Sequence, residues 1–278
     1  MFNDMMRAEI WLQDRLETQQ GIEDLAQRLG YSASQVRRNF KRCFGVSPST
    51  YRDRLRVEQA AILLSYTQLN IHSVAYRCGY RNHSAFSRAF LRYFGTSPRE
   101  FRKDERHRLE KLRNGPTREY PFRIGHDTPQ QAVVTRLYHH RVGKRNSIED
   151  LAKHVTLEAL PKKLRKGRTI AIIHGNDLNS DFARADLGIQ VDADIADELA
   201  TPLPFRTLSL PACRYASVMS DDLDELRPII DFLLAKALPE RGERISGLPP
   251  RLIWQKSREG KTRHPSRFEF RLPLCDPG

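Results

Sequence analysis

Residues 32–44 read SASQVRRNFKRCF, and residues 82–94 read NHSAFSRAFLRYF. Each stretch follows a Gly-Tyr pair, and each ends in a Phe-Gly-x-Ser-Pro sequence. Residues 40–48 recur as residues 90–98, at an offset of 50 positions. A repeat that is this long and matches in detail indicates two copies of one structural unit rather than chance periodicity.

The spacing of the apolar residues predicts an amphipathic helix in each copy. Apolar side chains that recur every four residues share one face, which we expect to lie in the core. These inward positions are Val36, Phe40 and Phe44 in the first copy and Phe86, Phe90 and Phe94 in the second. The opposite face is polar or cationic, and its members are Ser34, Arg37, Arg38, Lys41, His83, Ser84, Ser87 and Arg88.

The segments around these helices predict two helix-turn-helix units, at about residues 22–45 and 71–95. In each unit a short amphipathic helix comes first, then a glycine-containing turn, then the basic-faced helix. Residues 48–65 are rich in helix formers and would make a rigid linker helix of about 25 Å at about 1.5 Å per residue. Successive major grooves lie about 34 Å apart, so two such units suggest sequence-specific DNA binding. The alternative is an ordinary helical bundle with solvated basic faces.

Charge is concentrated in the part of the chain that holds the repeat. The net charge is +13, and residues 1–113 contain 21 Lys and Arg against 12 Asp and Glu. Residues 114–278 contain 26 against 22, so the cationic excess lies where phosphate binding would need it. No uninterrupted run of about 18 apolar residues and no apolar signal core are apparent, and we expect a cytoplasmic, nucleoid-associated protein.

The four cysteines, Cys43, Cys78, Cys213 and Cys275, are widely separated and have no metal-ligand spacing. We expect neither a disulfide scaffold nor a metal site nor a bound cofactor. Cys43 lies beside Arg42 in a predicted recognition helix, so a redox switch is the alternative to a buried thiol. Adjacent residues of a strand point opposite ways, which makes a metal site at His139 and His140 a poor hypothesis.

The remaining sequence predicts a different fold class after a boundary at residues 114–116. We expect an all-α domain over residues 1–113, a linker over 114–122 and an α+β domain over 123–278. Apolar runs and alternation predict a strand, a helix and two strands, and then the same order again. The predicted elements are strands at residues 130–140, 169–174, 185–191, 214–219, 252–255 and 268–274, and helices at residues 147–160 and 223–238. This order is a duplicated βαββ unit with an antiparallel sheet.

The N-terminal part resembles the AraC/XylS family of transcription regulators over about residues 4–105. The most specific signature is residues 93–102, which read YFGTSPREFR. The resemblance implies that a monomer binds an asymmetric promoter site and contacts RNA polymerase, and we expect the protein to activate transcription. By position, bases would be contacted by Ser34, Arg37, Arg38, His83, Ser84, Ser87 and Arg88. Close relatives place a tryptophan where this chain has Ser34, so we expect a different preferred sequence.

A DNA-binding domain that comes first and a second domain that follows resemble the arrangement in Rob. The C-terminal part resembles the gyrase-inhibitor-like (GyrI-like) ligand domain, on its strand order and on residues 210–215 and 268–274. That resemblance implies a small lipophilic or cationic effector, bound by an acid among aromatic side chains. Glu269 is the candidate acid, with Tyr215 and Trp254 as walls. The alternative is that Glu269 faces solvent on an edge strand.

Two other functions compete for the C-terminal domain. It could be a protein-interaction module without a small ligand. It could also be a hydrolase with His174 and Glu269 as acid-base groups, although the sequence has no nucleophile elbow, phosphate loop or metal spacing. We therefore expect a regulator rather than an enzyme.

Overall fold

A computed structural model describes residues 2–18, 20–138, 160–175, 184–191, 201, 203–254 and 267–276. The chain divides into two compact units, Met1–His107 and Arg108–Gly278. The boundary expected after residue 113 lies a few residues beyond this division.

Helices build the N-terminal unit, and their order is the one predicted from the repeat. They are α1 (Phe2–Asp14), α2 (Ile22–Leu29), α3 (Ala33–Phe44), α4 (Pro48–Tyr66), α5 (Ile71–Arg77), α6 (His83–Phe94) and α7 (Pro98–Asn114), the last of which crosses the division. Helix α1 ends at Asp14, because the chain turns there. Thr18 N donates to the Arg15 carbonyl in this turn.

The two predicted recognition helices, α3 and α6, begin and end in the same way. Ser32 caps α3 by accepting a hydrogen bond from Gln35 N, and Asn82 caps α6 by accepting one from Ala85 N. Gly45 and Gly95 follow the helices with φ of 77° and 68°, a left-handed conformation that favours glycine. A side-chain cap at the start and a left-handed glycine at the end of both helices confirm that the repeat is structural.

The apolar faces of both helices lie in the core, as predicted. Val36, Phe40 and Phe86 are fully buried. Phe94 is only half-buried, and its ring packs on Phe90 with 4.6 Å between ring centroids. Burial of these aromatic faces leaves the polar stripe of each helix on the surface.

A single antiparallel sheet of eight strands forms most of the described C-terminal unit. Its strands are β1 (Phe122–Asp127), β2 (Gln130–Tyr138), β3 (Arg168–His174), β4 (Arg184–Val191), β5 (Arg206–Leu210), β6 (Cys213–Ser220), β7 (Arg251–Trp254) and β8 (Phe268–Leu274). They are ordered β1-β6-β8-β7-β3-β4-β2-β5, and every neighbouring pair is antiparallel.

Six of these strands match the predicted ones, whereas β1 and β5 were missed. Both missed strands are short and polar, with the sequences FRIGHD and RTLSL. Between β6 and β7 the predicted helix is present as α8 (Leu226–Phe232), preceded by a 3₁₀ turn at Leu223–Glu225 and extended by a π turn at Leu233–Ala237. The helix expected at residues 147–160 and the pair His139 and His140 fall outside the described residues, apart from Leu160.

The strand order has an internal symmetry. If each of the strands β1 to β4 is exchanged with the strand four places later in the chain, the same strand order results, read from the opposite edge of the sheet. The register agrees, because Ile172 of β3 pairs with Asp186 and Ile253 of β7 pairs with Glu269. Asp186 and Glu269 therefore occupy equivalent places in the two halves of the sheet.

Candidate nucleic-acid interface and the charged sheet face

Helix α3 presents its predicted stripe to solvent. Ser34, Arg37, Arg38 and Lys41 are all exposed. Arg37 Nη2 lies 3.0 Å from Glu23 Oε1, but both side chains are more than half exposed, and such surface pairs contribute little. A phosphate could therefore replace Glu23 as the partner of Arg37 at small cost.

Helix α6 presents a weaker cationic stripe. His83, Ser84 and Arg88 are exposed, and Ser87 is half-buried. Ser87 Oγ lies 3.5 Å from His83 Nδ1, which orients the two side chains toward each other. Arg88 is the cation of this stripe, whereas α3 carries Arg37, Arg38 and Lys41.

Leu91 belongs to the same stripe, and the sequence interpretation missed it. It follows Ser87 by four residues and Arg88 by three, so it shares their face of α6. Its side chain is 52% exposed, which is unusual for a leucine of a packed helix. The offset of 50 would have found it, because that offset relates Leu91 to Lys41.

The linker helix α4 carries both recognition helices within the N-terminal unit. Tyr51 of α4 donates a hydrogen bond from its hydroxyl to Glu9 Oε1 of α1, over 3.1 Å. Toward the other side, Tyr93 of α6 donates from its hydroxyl to the Thr50 carbonyl, over 2.9 Å. These hydrogen bonds fix the positions of the helices relative to one another, whereas the periodicity of the sequence predicts each helix only by itself.

In the C-terminal unit, charged side chains gather on one face of the sheet. Strand alternation puts Glu269 on the face shared by its register partners Ile253 and Met219. The other face carries Phe122, whose ring contacts Phe232 of α8 with 6.1 Å between centroids. Helix α8 therefore packs on the face of the sheet opposite to Glu269.

Trp254 does not lie beside Glu269, contrary to the prediction of an aromatic wall there. It is in register with Phe268, one position along from the pair that contains Glu269, and its ring packs on Phe268 at 6.1 Å. Adjacent residues of a strand point to opposite faces, so Trp254 lies on the apolar side. A one-residue difference in register, invisible in the sequence, separates the two side chains.

Glu269 lies among arginines rather than in an acidic pocket. Its carboxylate accepts from Arg123 Nη2 at 2.8 Å and from Arg271 Nη2 at 2.7 Å, and its side chain is 5% exposed. Burial favours the neutral acid, but the hydrogen bonds from Arg123 and Arg271 outweigh it and lower the pKa of Glu269. Glu269 is neither solvent-facing nor free to attract a cation.

Two further groups complete this cluster. Arg271 Nη1 also donates to Asp127 Oδ1 at 2.5 Å, and Arg251 Nη1 lies 3.4 Å from Asp127 Oδ2. The Tyr215 ring lies on the same face, with the guanidinium carbon of Arg271 4.2 Å from its centroid. Tyr215 is thus beside the cluster as predicted, but its partner is a cation of the protein itself.

Asp186 forms the equivalent cluster in the other half of the sheet. It accepts from Arg136 Nη2 at 2.7 Å and from Arg206 Nη2 at 2.8 Å, and His174 Nε2 lies 2.8 Å away. Burial alone would raise the pKa of Asp186, but Arg136 and His174 hold it well below its ordinary value. Burial and the neighbouring Arg136 lower the pKa of His174, so this imidazole is neutral at pH 7.

The structure does not bring His174 and Glu269 together as an acid-base pair. Glu269 is in register with Ile253, and Ile253 with Ile170, four residues from His174 along β3. That separation is about 13 Å along a strand. Each group is instead bonded within its own arginine cluster.

The described residues offer little to the remaining site hypotheses. Among them, no group of three or more His, Cys, Asp and Glu side chains could hold a metal ion. In the same part of the chain, no helix combines the length and apolar character needed to cross a membrane. Cys43 is buried, which favours a packed thiol over an accessible redox switch.

Comparison with known proteins bears on the N-terminal unit. Residues 25–104 match the model of the helix-turn-helix domain family. Over 92 residues the chain is 34% identical to the HTH-type transcriptional activator RhaS of Escherichia coli O139:H28, covering 33% of each protein. It is 35% identical to RhaS of Mannheimia succiniciproducens over 92 residues, covering 33% of this chain and 34% of that protein.

Residues 25–104 are thus similar to helix-turn-helix domains, including that of the activator RhaS. The chain spans about a third of the length of these curated relatives. Among solved structures, the DNA-binding domain of AdpA in complex with a target DNA is 32% identical, with a TM-score of 0.36 over 37% of this chain and 94% of that one. Residues 25–104 contain all the residues of the exposed polar stripes on α3 and α6.

Proposed function

We propose that this protein is a sequence-specific DNA-binding transcription regulator, and an activator in particular. The observation that carries the proposal is the pair of α3 and α6, two helices at equivalent places in the repeat that both present exposed polar stripes within one compact unit. The RhaS relatives are named as activators, which supports the sign of regulation. The partners we propose are a promoter site in double-stranded DNA and RNA polymerase, in the cytoplasm.

In this proposal the two stripes enter successive major grooves of one asymmetric site. Arg38 and Arg88 have the fork of donors that matches guanine O6 and N7, and among the described side chains neither has a hydrogen-bond partner. Ser34, Ser84 and the Ser87–His83 pair supply shorter donors and acceptors for other base edges. Lys41 supplies a point charge for a phosphate and sets register rather than sequence.

Selection of bound sequences from a random DNA pool with full-length protein tests this function. We expect enrichment of one asymmetric site that covers about two helical turns. A pool that shows no enrichment, and that binds only in a salt-sensitive manner, would mean phosphate attraction without base recognition and would contradict the proposal.

For the C-terminal unit we propose that the charged sheet face senses a small effector. The side chain of Arg123 is 67% exposed while that of its partner Glu269 is 5% exposed, so an incoming ligand meets the cation first. Three arginines, Arg123, Arg251 and Arg271, surround the two acids Asp127 and Glu269. This balance favours a lipophilic anion over the lipophilic cation that the resemblance implies.

Two probes of the same shape and opposite charge test the effector proposal. We expect tetraphenylborate to raise the melting temperature of the full-length protein and tetraphenylphosphonium to leave it unchanged, because only native-state binding stabilises. Substitution Arg123→Gln should remove the borate effect. If tetraphenylphosphonium stabilises the protein and Glu269→Gln loses this stabilisation, the result would favour the cationic effector that the resemblance implies. No response to either probe would favour a protein-interaction module.

A further inference from the structure

We propose that Arg56 is a positioning residue that fixes the spacing of the two recognition helices, and so the spacing of the two half-sites in DNA. The inference rests on the proposed DNA-binding function. Arg56 lies in the linker helix α4, is 9% exposed and belongs to neither recognition helix. Its guanidinium nevertheless contacts both halves of the N-terminal unit.

Arg56 binds the first half through the segment that follows α1. Its Nε donates to the Leu16 carbonyl at 2.8 Å, and its Nη2 donates to the Thr18 carbonyl at 3.2 Å. These carbonyls lie just past the end of α1 at Asp14, where no helix supplies donors for them. A single planar guanidinium reaches both, which a lysine ammonium at the end of a flexible stem does not reproduce.

Arg56 contacts the second half through the turn between α5 and α6. Its guanidinium carbon lies 5.6 Å from the centroid of the Tyr80 ring. Tyr80 in turn donates from its hydroxyl to the Asp53 carbonyl of α4, over 3.4 Å. Tyr80 therefore ties the turn of the second helix-turn-helix unit to α4 at both Asp53 and Arg56.

Gly79 closes the junction by direct backbone contact. A Cβ at this position would lie 2.3 Å from the Leu16 carbonyl oxygen and 2.9 Å from Arg56 Nε and Nη2. Its φ of 80° also lies in the left-handed region. The turn of the second unit thus packs directly against the segment that follows α1 and against the guanidinium of Arg56.

Burial makes the junction a defined contact rather than a loose one. Desolvation is the main cause that lowers the pKa of Arg56, and the nearby Arg52 adds to it. A change in the position of the charged guanidinium would break its charge-assisted hydrogen bonds to the Leu16 and Thr18 carbonyls. Rotation of one recognition helix relative to the other would require such a break.

The expected consequence is a strict half-site spacing. One inserted base pair moves a half-site by about 3.4 Å and rotates it by about 34°. Wild-type protein should lose at least about tenfold in affinity for the selected site on such an insertion, the range for losing a good base-edge contact. Arg56→Lys should bind the original site less tightly and lose much less on insertion.

The experiment measures affinity for the selected site and for versions with one base pair added or removed between the half-sites. Arg54→Ala is the matched control. It removes a guanidinium from the same helix, and that guanidinium pairs with Glu58, one turn along α4. Circular dichroism shows that each variant is folded at the assay temperature. Equal spacing discrimination in wild type and Arg56→Lys would overturn the inference, and so would a wild type that tolerates insertions.

A second readout needs no DNA. Spin labels at Arg42→Cys and Arg92→Cys, in a Cys275→Ser background, report the distance between α3 and α6 by double electron–electron resonance. We expect one narrow distance distribution in wild type and Arg54→Ala and a broader one in Arg56→Lys. An unchanged distance distribution in Arg56→Lys would overturn the inference, whether or not the protein binds a specific DNA site. A failure to bind specific DNA would instead contradict the proposed function.

Discussion

Arginine is used in opposite ways in the two units. In the N-terminal unit, Arg38 and Arg88 extend from helices into solvent. In the sheet of the C-terminal unit, Arg136 and Arg271 are almost fully buried and bonded to carboxylates. The first arrangement leaves donors available for a ligand, and the second consumes them in the fold.

The difference shows that residue type alone does not locate a binding site. An exposed cation contributes little to the stability of the fold, so it can bind a partner without destabilising the protein. A buried cation that loses its acid leaves a charge without compensation, which is strongly destabilising. Substitutions in the sheet should therefore change stability, and substitutions on the helices should change binding.

The largest effect should come from Asp186→Asn. This change leaves Arg136 and Arg206 without the carboxylate that compensates them, and breaking such a buried pair costs about 3–5 kcal/mol. Equilibrium urea unfolding of the full-length protein measures the loss. The control is Glu119→Gln, whose exposed pair with Lys236 should contribute about 0–1 kcal/mol. A loss no larger than that of the control would contradict the role of buried pairing.

The next effect should be on binding alone. Arg38→Ala and Arg88→Ala should each weaken specific binding by about 1–3 kcal/mol if the residue contacts a base. The urea concentration at the unfolding midpoint should equal that of wild type, because both side chains are exposed. Titrations on the selected site and on random DNA separate the two kinds of contact. Equal weakening on both would show that the residue contacts phosphate only.

A smaller effect should distinguish the two recognition helices from each other. Lys41 and Leu91 occupy equivalent places in the repeat, so Leu91→Lys adds the phosphate contact that α6 lacks and Lys41→Leu removes it from α3. The slope of log affinity against log salt should steepen by about one in Leu91→Lys and flatten by about one in Lys41→Leu. Slopes that do not move would place these two positions away from the DNA.

The smallest effect is the pH dependence of the sheet. Folding lowers the pKa of His174, so the unfolded chain binds the extra proton first, and stability falls as pH drops below about 6.5. The lowered pKa of Asp186 has the same sign but acts below about pH 4. Unfolding between pH 7 and 5 should show a loss of at most about 1.4 kcal/mol per pH unit. His174→Gln should lack this loss, and an identical acid response in the variant would assign it elsewhere.

The helices could be predicted because their signals are local. Ser32 and Asn82 cap the starts of α3 and α6, and Gly45 and Gly95 mark their ends. The spacing of the phenylalanines gives the buried face of each helix. The stripes on α3 and α6 followed from the same period. Leu91 was within reach of the repeat but not of a search for polar residues.

The sheet could be predicted only in part, since strand register joins residues that are far apart in sequence. The face of Trp254 and the pairing of Glu269 with Arg123 depend on which strands are neighbours. The contacts of Arg56 could not be predicted from the sequence, because its partners Leu16 and Gly79 lie far from it in the chain, one on either side. Such contacts leave no periodic trace in the sequence.

The central claim is that one chain reads two successive major grooves with α3 and α6. Methylation protection of guanine N7 on the selected site, with the protein-to-DNA ratio measured in the same complex, tests it most directly. We predict two groups of protected guanines about 10 base pairs apart, with one protein bound, of which Arg38→Ala loses one group and Arg88→Ala the other. A single protected group, or two proteins for each site, would contradict the account.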